Sequence, residues 1–166
     1  MRIVVAAASK HGATTEIAEA IATELVRRGL TAEVAEPAAV TTLDPYDAVV
    51  LGSGLYLGRW QNSAKSMVDR LGPELLKRPV WLFSSGPVGE PPRPTEESPD
   101  VAALVTATGA REHHIFSGRI DKSELSLGER AVVAAVRASA GDFRDWGEIK
   151  AWAGRIADAL GATPSD

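Results

Sequence analysis

The chain opens on an unbroken apolar run, Ile3 to Ala8. It lacks the alternation of a strand with one wet face and fits a strand covered on both sides in a parallel sheet. From Ala13 the period changes. Ile17, Ala18, Ile21, Ala22 and Leu25 repeat as one stripe of a helix, with Thr14 or Thr15 placed to cap its start and Gly29 to end it. The same succession returns along the chain. Further short apolar strands are predicted at about 32–35, 47–52, 79–84 and 113–117, and helices at about 63–71, 98–109 and 145–160. Ser98-Pro99-Asp100 has the order of a helix start, while Ser126-x-x-Glu129 and Asp145-x-x-Glu148 have capping-box spacing. Ile149, Trp152, Ile156 and Leu160 form the core stripe of the last helix, which stops at Gly161.

Parallel neighbours need crossover connections, so five strands alternating with helices predict an α/β fold, a doubly wound five-stranded parallel sheet with helices on both faces. Ligands of such sheets sit at the carboxyl ends of the strands, beside the point where strand order reverses. The first, third and fourth predicted strands all run into loops of small residues there, and the four prolines in residues 88–99 mark a loop.

Composition narrows the chemistry. A length of 166 residues suits one domain, 1–166, with a full core. The absence of cysteine excludes disulfides, thiolate metal sites and cysteine nucleophiles, so redox work would need a bound cofactor. His113 and His114 are strand neighbours that point to opposite faces, and no metal site is expected. With 22 acidic and 18 basic residues and no basic block, no nucleic-acid partner is expected. No apolar stretch approaches the ~20 residues of a membrane span and no signal pattern opens the chain, which leaves a cytoplasmic protein as the expectation.

Candidate chemistry lies in the loops. Ser9-Lys10-His11-Gly12-Ala13-Thr14-Thr15-Glu16 joins the first strand to a helix N-terminus, where amides, helix dipole and hydroxyls suit a phosphate monoester. Neither G-x-x-x-x-G-K-[ST] nor G-x-G-x-x-G occurs there, so a monophosphate fits better than a nucleotide triphosphate or a dinucleotide. The same residues also read as an ordinary threonine-capped helix. Gly52-Ser53-Gly54 lacks the spacing of a hydrolase nucleophile elbow, and Ala7-Ala8-Ser9 lacks the acids of a receiver domain.

Ser9 to Thr14, then Leu51-Gly52-Ser53-Gly54-Leu55-Tyr56-Leu57-Gly58-Arg59-Trp60, then Gly141-Asp142-Phe143-Arg144-Asp145-Trp146 together resemble the flavodoxin fold family. More narrowly, they are similar to its menaquinone-dependent protoporphyrinogen oxidase-like branch. The resemblance implies strand order 2-1-3-4-5 and noncovalent FMN between the first and third strands. It places Ser9, Lys10, His11, Gly12, Ala13 and Thr14 around the FMN phosphate, although Lys10 also fits a solvent-facing position. Ser53, Gly54, Leu55, Tyr56, Leu57 and Gly58 would line one side of the isoalloxazine, and Ser84, Ser85, Gly86, Pro87, Val88 and Gly89 the other. Glycine suits these loops because it lets backbone approach a flat ring closely.

Electron carriers of the family flank the ring with aromatics from both loops amid acidic residues. This chain has Tyr56 and Trp60 in the second loop, no aromatic in residues 84–95, and Arg59 and Arg93 where acids are expected. A weakly charged rim steers a basic protein partner poorly and leaves one ring face for a small substrate. The leading expectation is therefore an FMN-dependent oxidoreductase that passes electrons between a small-molecule reductant and a quinone or similar acceptor. An electron-transfer module serving a protein partner and a flavin-free scaffold are the alternatives. Residues 120–140, where the branch carries an insertion, read as a mild Ala/Val helix packed on its own domain, with little support for peripheral membrane contact. Asp142, Arg144 and Asp145 read as a local ion pair and a helix cap, Trp81, Trp146 and Trp152 as packing residues, and no catalytic residue stands out.

Overall fold

The computed structural model describes residues 1–56, 58–86, 98–120, 141–142 and 144–161. Leu57, Pro87, Val88 and Gly89, most of the proline loop, and the Ser126 capping box with its helix lie outside the described residues.

Strands β1 (Arg2–Ala8), β2 (Thr31–Ala35), β3 (Ala48–Gly54), β4 (Val80–Ser85) and β5 (Glu112–Phe116) form a parallel sheet in the order β2-β1-β3-β4-β5. Among the described residues it is joined by helices α1 (Ala13–Arg27), α2 (Asn62–Leu75), α3 (Val101–Thr108) and α4 (Trp146–Ala159). The unbroken apolar reading of β1 has its reason in the two layers. Ile3, Val5 and Ala7 pack with α1 and α4, whereas Val4, Ala6 and Ala8 join the layer of α2 and α3.

Helix ends are set by local chemistry. Gly29 donates to the carbonyl of Val26 and Leu30 to that of Leu25, a Schellman stop that satisfies the last carbonyls of α1. The start of α1 corrects the sequence reading: its N-cap is Gly12, with no side-chain cap, and Thr14 and Thr15 lie inside the first turn. Helix α2 runs past Gly72-Pro73, beyond the expected stop at Leu71, to Leu75. Gly72 has no Cβ to clash with the proline ring, and the fully buried Leu75 anchors the extra turn. Helix α3 starts later than the Ser98-Pro99-Asp100 order predicts: its N-cap is Asp100, with no side-chain cap, and Ser98 Oγ accepts from the Asp100 amide in the turn ahead of it.

Asp145 caps α4 by accepting from the Glu148 amide at 3.0 Å, but the reciprocal half of the expected box is absent from the described hydrogen bonds. The Glu148 carboxylate instead lies 2.7 Å from His114 Nε2. Trp152 is fully buried, edge-on to Phe83 and Phe116. Trp146 is 38% exposed, so its expected place in the packing is corrected. A short antiparallel ribbon, β6 (Arg119–Ile120) with β7 (Gly141–Asp142), was not expected. Two-residue strands carry no periodicity to read.

Candidate functional site

The carboxyl ends of β1 and β3 lie side by side where strand order reverses, with Ala8 opposite Ser53. After β1 the chain turns into α1 through Gly12, whose φ of +85° is the left-handed region that glycine occupies without a Cβ penalty. A Cβ at this position would meet nothing within 4 Å, so conformation rather than crowding demands glycine. The first helical bond runs from the Glu16 amide to the Gly12 carbonyl. The amides of Ala13, Thr14 and Thr15 precede it and point out of the positive end of α1.

Across the junction, a Cβ built on Gly54 would stand 2.8 Å from Thr14 Oγ1 and 3.8 Å from the Ala8 carbonyl oxygen. The first loop and the end of β3 thus meet at contact distance. Lys10 Nζ sits 4.3 Å from the centre of the Tyr56 ring, a cation–π contact that links the same two loops at the surface. Tyr56 and Arg59 exchange backbone hydrogen bonds of 3.0 Å, which fold the second loop into a tight turn.

Beneath this turn the polar groups face inward. Ser53 Oγ donates to the Gly54 carbonyl and accepts from the Gln61 amide, both at 2.9 Å. Trp60 Nε1 donates to Ser84 Oγ at 2.8 Å, and that hydroxyl lies 2.7 Å from His113 Nε2. Ser84 has one proton of its own, so it donates to His113 when that nitrogen is unprotonated. Leu55 donates to the Ser85 carbonyl, and Gly86 to that of Phe116.

Asp100 ties the second loop to the start of α3. Its carboxylate accepts from Arg59 Nε and Nη2 at 3.1 and 2.8 Å and from the Trp60 amide at 3.0 Å. These bonds, the Arg59 pair first, hold the Asp100 carboxyl below the usual carboxylate range against the opposing effect of burial. On the other side of the first loop, Arg119 Nη2 donates to the His11 carbonyl and Arg144 Nη1 to the Ala13 carbonyl. Arg144 also forks onto Asp142, which lowers the Asp142 pKa and raises that of Arg144.

A family model described as a flavodoxin domain matches residues 4–146. The chain belongs to the flavodoxin domain family. Solved structures of similar fold include a flavodoxin from the domain Archaea, with a TM-score of 0.67 and 15% identity over 97% of this chain and 99% of that one. The flavodoxin of Streptococcus pneumonia TIGR4 gives 0.65 and 17% over 96% and 99%. Rubredoxin oxygen:oxidoreductase from Desulfovibrio gigas gives 0.64 and 15% over 96% of this chain but 36% of that one. Among curated proteins none matches the sequence.

In this flavodoxin domain the structure brings Thr14 to Gly54 and Lys10 to Tyr56, with Gly12 and Ala13 at the turn into α1. Ser53 and Ser85, read from sequence as loop positions, are paired and buried strand residues, because β3 and β4 extend further than their apolar runs, and Ser84, expected at the end of its strand, is buried beside them. Trp60 is 2% exposed and belongs to the core, which leaves Tyr56 as the exposed aromatic of the second loop. The reach of Arg119 and Arg144 to the first loop escaped sequence reading. Asp142-x-Arg144 signalled a local pair, but nothing local points to a carbonyl 131 positions away.

Proposed function

We propose that the protein is a single-domain FMN-binding oxidoreductase. The ribityl phosphate sits on the Ser9–Thr14 loop, and the ring lies between the loops that follow β3 and β4, against Gly54, Leu55 and Tyr56 on one side and Ser85 and Gly86 on the other. FMN, when bound, supplies reversible electron and hydride chemistry. The chain's own groups there are backbone amides, a threonine hydroxyl, Lys10 and the Tyr56 ring, a set suited to binding, orientation and tuning of potential. The observation that carries the reading is the approach of Thr14 to Gly54 across the β1/β3 junction, at a helix N-terminus turned by a left-handed glycine with open space beside it.

The substrates are a small-molecule reductant and a quinone or similar acceptor in the cytoplasm, with protoporphyrinogen as the candidate that the branch resemblance suggests. The pairing of Arg59 with Asp100 supports an enzyme over a shuttle, because it neutralises the rim and leaves little field for steering a charged partner.

The test is titration of flavin-stripped protein with FMN, FAD and riboflavin, followed by flavin fluorescence. FMN is expected to bind at least about 100-fold more tightly than riboflavin, through charge-assisted bonds to the phosphate. Equal affinities, or FMN affinity unchanged by Ser9→Ala with Thr14→Val, would remove the loop assignment. Turnover of quinone or protoporphyrinogen by the loaded protein then separates the enzyme from the electron carrier.

A further inference from the structure

Behind the first loop, on the far side of its peptide planes, stand two arginines that the flavin reading does not use. Arg144 has a side chain 4% exposed and held on every donor-bearing edge. Nε and Nη2 fork onto Asp142 at 2.9 and 2.7 Å, and Nη1 reaches Glu16 at 2.5 Å and the Ala13 carbonyl at 3.3 Å. Its guanidinium also stacks 4.6 Å from the centre of the Trp146 ring. Arg119 donates to the His11 carbonyl at 3.2 Å and pairs with Glu16 at 3.8 Å. The β6–β7 ribbon sets Arg119 directly opposite Asp142.

Within a trans peptide, the carbonyl of one residue and the amide of the next point in opposite directions. A guanidinium that holds the His11 carbonyl therefore aims the Gly12 amide the other way, and one that holds the Ala13 carbonyl does the same for the Thr14 amide. Asp142 and Glu16 balance the two positive charges, so the arrangement offers direction more than net attraction.

We infer that Arg144, assisted by Arg119, is a positioning residue that presets the amides of Gly12 and Thr14 for a phosphate monoester. This rests on the phosphate-loop reading above. The β6–β7 ribbon thereby acquires a purpose: it carries the clamp to the loop from a distant part of the chain.

The readout is the ratio of riboflavin to FMN dissociation constants in flavin-stripped, full-length protein, because riboflavin lacks only the phosphate. Arg144→Met is expected to weaken FMN at least about tenfold while riboflavin stays nearly unchanged. Arg144→Lys is expected to behave alike, since an ammonium cannot span fork and carbonyl together. Arg119→Met, at a more exposed side chain, gives a smaller shift in the same direction and serves if the Arg144 variants fail to fold. Arg70→Met removes comparable bonds, to the Val40 and Pro37 carbonyls in the α2 layer, and should leave the ratio unchanged.

A wild-type ratio retained in Arg144→Met and Arg119→Met, or FMN and riboflavin weakened equally, overturns the clamp while the phosphate loop stands. Full recovery in Arg144→Lys overturns it also, in favour of charge alone. A wild-type protein that does not distinguish FMN from riboflavin overturns the phosphate-loop reading, and the clamp with it.

Discussion

Two glycines of this chain resist substitution for different reasons, and the difference is measurable. A Cβ on Gly52 would lie 2.2–2.5 Å from three atoms of the Phe83 ring. That ring cannot retreat, because Phe116 and Trp152 meet it at 5.8 and 6.0 Å. Gly52→Ala is expected to cost about 3 kcal/mol, as overpacking of a closed core does. Gly12→Ala meets no atoms and carries only the left-handed backbone penalty, about 1 kcal/mol. Urea unfolding midpoints order the two, and equal losses would contradict this account. Sequence marked both glycines as loop or strand-end residues. It could not say which was crowded, because the crowding comes from a ring on the next strand. The buried hydroxyls of Ser53 and Ser84 were hidden for the same reason.

Elements were legible where one residue stripe decides them. The apolar runs of β1, β3 and β4 and the stripe of α1 needed nothing beyond their own sequence. The end of α2 depends on the burial of Leu75 and the β6–β7 ribbon on a partner strand some twenty residues away, and the sequence reading missed both, as it missed the exposure of Trp146. The joint between the second loop and α3 depends on a distant partner too, and it titrates. Asp100 has its folded pKa depressed, so its contribution is complete above the unfolded carboxylate value, near pH 4, and drains away as pH falls toward the folded value. Asp100→Ala should therefore lose about 2 kcal/mol at pH 7, where a buried charged hydrogen-bond acceptor is removed. The gap to wild type should narrow below about pH 4. Thermal melts of both proteins across this range test it, and a gap that widens on acidification would be the wrong sign.

For the molecule as a whole, a ligand that binds only the folded state raises stability by mass action. FMN at about 100 times its dissociation constant should add about 2.7 kcal/mol, and riboflavin at the same concentration distinctly less. For a chain of this length that corresponds to a melting shift of about 5–10 °C. No shift with either compound would argue against any flavin. The sheet order and its switch point were foreseeable from alternating elements together with the family resemblance, and they locate the site without identifying what turns over there. The clamp adds an optical handle. Trp60, Trp81 and Trp152 are at most 3% exposed, whereas Trp146 is 38% exposed and lies against the Arg144 guanidinium. Three indoles therefore emit from a dry interior, and the solvent-sensitive part of the intrinsic fluorescence comes from the one that touches the clamp. Any movement of Arg144 away from the loop will register as a change in tryptophan emission, with no label attached.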